Sequence, residues 1–390
     1  MKIRTLAIMA PIALLAACSD SNKASGPIEN GVVVAARASD YSSGALSLLS
    51  FEAPFTATNG VNATVSDIAV RADGDHYFLI ERFDSNRISR HLASDPETPV
   101  YQYSTQSDEE GGNSNPYDIL VASPTKAYVL RYGSPILWIV NPSAATEAEF
   151  KVGEIDLSHY DADGTPEMAA GLIQDGLLYI AMQRLEFFSP VQSGYLAIID
   201  TLTDEEIDTE TGDLPGVELP VRNPVQIVAD PSSDDLLIVG NGGSNYSDSG
   251  FIPVYEGGLV RFNPGTYDVT LQLDDGETGN APFGQFTALA LVDGSRGYFI
   301  GSTLNGFGSS ETLFRFNPSG TDAPQAVTGF TDTALSDIRA DSQGRLWVGL
   351  SSITAPGIAV LQADDNSEQV LNEHIDTLLV PLNIDFLTTN

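Results

Sequence analysis

Past residue 30 the apolar positions come in short runs separated by turns rich in Gly, Asn, Asp and Pro, and no stretch carries a helical period. The runs are rich in Val, Ile, Leu, Tyr and Phe, the residues that favour a pleated, half-buried surface. One unit recurs. It opens with Pro, any residue, a polar residue and an aliphatic: Pro116-Tyr117-Asp118-Ile119, Pro224-Val225-Gln226-Ile227 and Pro381-Leu382-Asn383-Ile384, with looser versions at Ser66-Asp67-Ile68, Pro166-Glu167-Met168, Phe286-Thr287-Ala288 and Ser336-Asp337-Ile338. The marker positions 67, 118, 168, 226, 287, 337 and 383 are 46 to 61 residues apart.

About ten residues after each of the first six markers a second strand is predicted, over 76–80, 127–130, 177–181, 236–239, 297–300 and 345–348. A third follows over 137–140, 195–199, 259–262, 312–316 and 358–361, often closing on Asn-Pro, and a weaker edge strand completes the unit. Four strands in roughly 50 residues is the size of a β-propeller blade. Six units are complete. The seventh marker supplies only one strand, over 379–387, and its three partners are at the other end, over 32–36, 45–51 and near 56–61. The expectation is an all-β, seven-bladed propeller in one domain, residues 31–390, whose C-terminal strand completes the N-terminal blade and removes the seam.

The N-terminus differs from everything after it. Met1-Lys2-Ile3-Arg4 is basic, and residues 6–17 form an apolar run too short for a permanent membrane span, which reads as an export signal over residues 1–17. It ends in Leu15-Ala16-Ala17-Cys18, which resembles the lipobox of bacterial lipoproteins. That resemblance implies lipidation of Cys18, a membrane anchor, and, because Ser19 rather than Asp follows, the outer membrane. Residues 18–30 then read as the lipidated cysteine and a flexible tether.

Composition narrows the function. With 18 Lys and Arg against 53 Asp and Glu, the formal charge is −35, which disfavours a nucleic-acid scaffold. A single cysteine excludes internal disulfides and Cys-rich zinc sites, and four scattered histidines disfavour a His-based metal site.

The stretch Leu178-Tyr179-Ile180-Ala181, followed by Gly194 through Thr201 (GYLAIIDT), resembles the repeat of YVTN-type, lactonase-like seven-bladed propellers. Asp341 through Gly349 (DSQGRLWVG) is similar to the repeat of related periplasmic propellers. The likeness covers about 300 residues and speaks to fold rather than function. It implies an envelope binding protein, since some exported propeller lipoproteins assist TonB-dependent transporters in taking up ferric siderophores. It also implies an alternative: a lactonase-like hydrolase built on one axial calcium. Asp67, Asp118 and Asp337, one per blade with Gln226, Thr287 and Asn383 at matching markers, are the metal candidates. The alternative is that each of these residues caps a turn or bonds the neighbouring blade. Asp161 and Asp163, with Glu167 behind them, begin like a calcium loop, but the following residues break the pattern and an acidic turn is expected.

Arginine is rare here, with 14 in the chain, and four stand at the ends of second strands in consecutive blades: Arg37, Arg82, Arg131 and Arg184. That edge is shared with the head of the inner strand, so the four are expected on one face. Tyr132, and Tyr246 and Tyr255 in the longest insertion (residues 240–258), accompany them. Guanidinium groups beside aromatic rings make a receptor for an anionic, ring-bearing molecule or metal chelate. The alternative is that each Arg pairs with a channel carboxylate. Three functions follow as expectations: a small-molecule binding lipoprotein serving an outer-membrane transporter, the calcium-dependent hydrolase, and a scaffold docking another envelope protein.

Overall fold

The second strand of every complete blade is apolar on both sides. Lys126–Arg131 and Leu177–Met182 are buried along five of their six residues, whereas the outer strand Lys151–Asp156 alternates half-buried and exposed. A strand buried on both faces must be sandwiched between sheets. In the computed structural model, which describes residues 28–107, 112–364 and 367–389, seven antiparallel blades surround one axis, six of four strands and one, blade 3, of five, because two short strands, Glu205–Glu206 and Val217–Glu218, share its outer position. Blades are numbered 1 to 7 by their inner strands, which are Ile68–Asp73, Pro116–Ser123, Met168–Gln174, Pro224–Ala229, Gln285–Asp293, Leu335–Ala340 and Val380–Thr389.

The C-terminal strand is innermost in blade 7, as expected. It pairs antiparallel with Ile28–Arg37, from Ile28 opposite Thr389 to Arg37 opposite Val380, and Gly44–Ser50 and Ala57–Thr64 lie outside it. The core is divided accordingly. Seven apolar clusters among the described residues each fill one gap between adjacent blades; Val33, Tyr77 and Leu387 belong to the gap between blades 7 and 1, and Val34, Trp347 and Ile384 to that between blades 6 and 7. Burial between sheets, at about 25 cal/mol per Å² of apolar surface, is therefore what holds the ring.

The repeated Asn-Pro has a local cause. The side-chain oxygens of Asn141, Asn263 and Asn317 each accept the backbone N–H two residues on, at 3.0, 3.0 and 2.9 Å, turning the chain after the third strand. Two features were not legible in the pattern. The blade 4 insertion forms its own hairpin, Ser244–Ser247 with Gly250–Pro253, and the middle strands of blade 5, Arg296–Asn305 and Gly308–Phe316, rise beside it. Gly250 (φ 128°) permits the contact: Phe251 N donates to Gly306 O at 2.9 Å, and a Cβ on Gly250 would sit 2.2 Å from the Gly306 carbonyl carbon. Cys18, the export signal and most of the tether lie outside the described residues.

Candidate functional site

Most inner strands carry a register shift just after their heads, as between Pro116 and Asp118, Met168 and Ala170, and Pro224 and Gln226. Such a bulge leaves one residue out of the ladder and redirects its side chain. In blade 2 that residue is Tyr117, and it sits at the face formed by the inner-strand heads and the loops joining second to third strands, here called the top.

An arc of side chains crosses this face over four consecutive blades. In blade 7 the Arg37 guanidinium lies 3.8 Å from the centre of the Tyr41 ring. Arg37, Tyr41, Ser66, Asp67, Arg82 and Asn383, with Ile68 and Leu382 as its apolar part, line a cavity of about 350 Å³. Arg82, from blade 1, lies 4.3 Å over the Tyr117 ring and 3.9 Å from Asp67. Its Nε is buried without a hydrogen-bond partner. Tyr117 stacks on Tyr132 at 4.2 Å and 15°, and the Tyr132 hydroxyl donates to Gln183 Oε1 at 2.7 Å. Gln183 Nε2 in turn donates to Pro224 O at 3.2 Å. Burial raises the pKa of both tyrosines, that of Tyr117 being partly offset by Arg82. Beside Tyr132, Glu167 is half-buried and accepts Leu185 N at 2.9 Å; burial, then Asp163 and Asp161, push its carboxyl up to about 8.

Of the four arginines grouped by sequence, the structure brings Arg37 and Arg82 to the cavity and withdraws the other two. Arg131 is fully buried. Its Nε donates to Thr105 O at 3.0 Å, its Nη1 to Ser134 Oγ at 3.0 Å and Ile136 O at 3.2 Å, and it lies 4.3 Å over Trp138. Arg184 ties its own loop, donating to Tyr160 O at 2.6 Å and Ser193 O at 3.1 Å, and stacks at 4.7 Å over Tyr195. Among the described residues the partners of both are backbone carbonyls and, for Arg131, the Ser134 hydroxyl, which makes both structural.

The three metal candidates do not form a ring. Asp118 accepts Ile119 N at 2.8 Å and Arg71 Nε at 2.9 Å from blade 1. Asp337 accepts Ile338 N and, from blade 7, Ile384 N, both at 2.9 Å. Asp67 is exposed at the rim, one step outside that level. The matching amides do the same fastening: Asn383 exchanges two hydrogen bonds with Val70 at 2.9 and 3.1 Å, and Gln226 two with Leu289 at 2.7 and 3.1 Å. Among the described residues no three His, Cys, Asp or Glu side chains converge as metal ligands. The donor set therefore does not fit an axial calcium, because Asp118 and Asp337 are spent fastening blade to blade and Asp67 stands apart at the rim beside Arg82.

Tyr246 stands 72% exposed on the blade 4 hairpin, its ring 6.2 Å from Phe251 and 6.5 Å from Phe307, while Tyr255 is half-buried on the return limb. They belong to a wider pattern. Among the described residues every strongly exposed aromatic side chain (Tyr41, Phe83, Phe187, Phe188, Tyr246, Phe251 and Phe307) lies on a loop between second and third strands, on the top. Tyr41, Tyr117 and Gln183 were missed as site residues; the signal for Tyr117 was its place directly after the repeated proline.

No protein-family model matches the chain, and no curated protein is recognisably similar in sequence. Solved structures are similar in fold. The likeness covers 92% of this chain and 99% of a putative 6-phosphogluconolactonase from Bacteroides uniformis, at 12% identity and a TM-score of 0.61. A protein from Lactobacillus plantarum matches over 92% of this chain and all of its own, at 10% identity and 0.63. A streptogramin B lyase matches over 80% and 84%, at 11% identity and 0.52. At such identities the likeness shows the β-propeller fold alone.

Proposed function

We propose that the chain is a binding module of the cell envelope whose top face holds a small anionic molecule carrying an aromatic ring, a metal chelate of that kind included. The observation that carries this reading is the Arg37–Arg82 cavity, walled by Tyr41 and bordered by Tyr117. Two guanidinium groups at one opening reverse the local sign in a molecule of charge −35, and flanking rings offer stacking surfaces for a planar ligand. About 350 Å³ suits a small ring compound. The same reading makes the protein a lipoprotein anchored through Cys18 at the outer membrane, passing its ligand to a transporter there. The chain enters blade 7 at Ile28, opposite Thr389 and so at the far end from Arg37, which would leave the top face turned away from the tether.

The test uses 2-naphthoate and its uncharged amide. Arg82→Ala should weaken naphthoate binding roughly tenfold, the loss of one charge-assisted bond, and leave amide binding little changed. Tyr117→Ala should weaken both. Equal naphthoate affinity in wild type and Arg82→Ala would remove the cavity as the binding site. The exposed aromatic rim favours a second reading, a scaffold docking an envelope protein through the same face.

A further inference from the structure

The gap between blades 7 and 1 changes character from the axis outward. Val33, Val70 and Leu387 close its inner part. Its outer part holds a cavity of about 150 Å³, lined by Asn62 and Thr64 of blade 7 and by Glu81, Arg87, Ser89 and His91 of blade 1. Three of these follow from the strand period: Arg87, Ser89 and His91 alternate along the third strand, Arg87–Leu92, and so share one face. Ser89 and His91 are buried. Gln102, opposite Ser89 on the outer strand, is exposed and Arg87 is half-buried, so the cavity opens at the outer edge of the blade.

His91 is fixed on three sides. Its ring stacks on Tyr77 at 5.3 Å and 5°, Nδ1 lies 2.7 Å from Pro96 O, and Nε2 lies 2.9 Å from Ser89 Oγ. A carbonyl only accepts, so the proton of the neutral ring is on Nδ1, and the Ser89 hydroxyl donates to the Nε2 lone pair. Asn62 Nδ2 lies 3.3 Å from Nδ1 but donates to the same Pro96 O at 2.7 Å, and the Tyr77 hydroxyl holds Asn62 Oδ1 at 2.6 Å. Burial lowers the His91 pKa, which keeps the ring neutral. A hydroxyl, a base and a group orienting that base thus stand in line. Glu81 is buried in the same cavity, and Arg87 neutralises it through Nε and Nη2, the latter 2.6 Å from Oε1.

We propose that Ser89 is a nucleophile activated by His91, and that the cavity between blades 7 and 1 takes the acyl group of a small ester. The site shares no lining residue with the Arg37–Arg82 cavity and stands without the binding reading. Ser89 Oγ forms a bond to the acyl carbon while its proton passes to His91 Nε2. His91 returns that proton to the departing alkoxide, which leaves as the alcohol. Water then repeats both steps on the acyl-serine, releasing the carboxylic acid and restoring Ser89. The Arg87 guanidinium, two residues away on the same face, is the cation for the charge that develops on the acyl oxygen. About 150 Å³ is well below the size of a site for a drug-sized ligand and limits the acyl group to one near acetyl.

The probe is p-nitrophenyl acetate, whose nitrophenyl group can remain at the opening. Wild type should release nitrophenolate and, after acid quenching, carry an acetyl group on Ser89 in peptide mass spectrometry. Ser89→Ala and His91→Gln should each slow release roughly a hundredfold, the one for want of the nucleophile and the other for want of the base. Urea midpoints report the fold of both variants, and Ser89→Ala, which deletes only the hydroxyl oxygen, should keep it. Wild type acetylated only on lysine or tyrosine side chains overturns the inference. So does nitrophenolate release that persists at the wild-type rate in folded Ser89→Ala. Neither result touches naphthoate binding at the top face.

Discussion

Replacing Arg131 separates a binding arginine from a structural one. The Arg131 guanidinium is fully buried, with hydrogen bonds to two carbonyls and a hydroxyl at 3.0 to 3.2 Å and a face on Trp138 at 4.3 Å. Truncation to Ala deletes charge-assisted bonds individually worth about 1.5–3 kcal/mol and leaves the carbonyls of Thr105 and Ile136 without this donor. The terms overlap, since removing one group relaxes the others, so a loss of about 3–5 kcal/mol is expected, the range for breaking a buried charged network. Lys keeps the charge but not the planar fork, and Arg131→Lys should recover less than half of the loss. The assay is urea unfolding followed by circular dichroism, which avoids the altered environment of Trp138. The same variants are titrated with 2-naphthoate under folding conditions. Arg82→Ala is the control, with stability within about 1 kcal/mol of wild type and weakened binding. A stability loss below about 1 kcal/mol in Arg131→Ala, together with a tenfold loss of affinity, would refute the assignment of Arg131 to the frame.

Removal of residues 380–390 takes the inner strand from blade 7, exposes Val32 and Val34, and deletes the Asn383 and Ile384 fastenings to blades 1 and 6; an aggregated product without a cooperative melt is expected, and melting within a few degrees of the parent would contradict ring closure. Asp275 is fully buried with no well-formed hydrogen bond to either carboxylate oxygen, and burial, helped by Asp274 and only partly opposed by the nearby Gly257 N–H, raises its pKa to about 7. The folded state therefore binds the extra proton between the unfolded and folded pKa values, and stability falls as pH rises through that window. Asp275→Asn should unfold at higher urea than wild type at pH 8.5, by roughly 2 kcal/mol after allowance for screening, with the gain shrinking at pH 5.5; an unchanged midpoint at pH 8.5 would count against it. Cys18→Ser should move the protein from the outer-membrane fraction to the soluble one or block its processing, and unaltered partition with membranes would exclude the lipid anchor.

The fold was legible because a blade is a local object. Four strands fit in about 50 residues, the second is apolar on both faces, and the turns announce themselves in Asn-Pro and in a repeated proline, so spacing alone counts the blades. Ring closure followed from arithmetic, one strand left over at one end and three at the other. The site was legible only to the level of which residues reach the top. A strand fixes the height and face of Arg37 and Arg131, each the last residue of its own, through its period of two, while Arg82 and Arg184 follow strands that end at Glu81 and Met182. It does not fix where a long flexible side chain turns. That was decided by acceptors distant in sequence: Thr105 O captures Arg131 from 26 residues away and Tyr160 O captures Arg184 from 24. Arg82 Nε is left without a partner. The markers divided in the same way. Asp118 and Asp337 are bound to the next blade while Asp67 stays at the rim, because inter-blade hydrogen bonds and bulge positions arise from how sheets pack against one another, and packing between distant segments leaves no periodic trace in the chain.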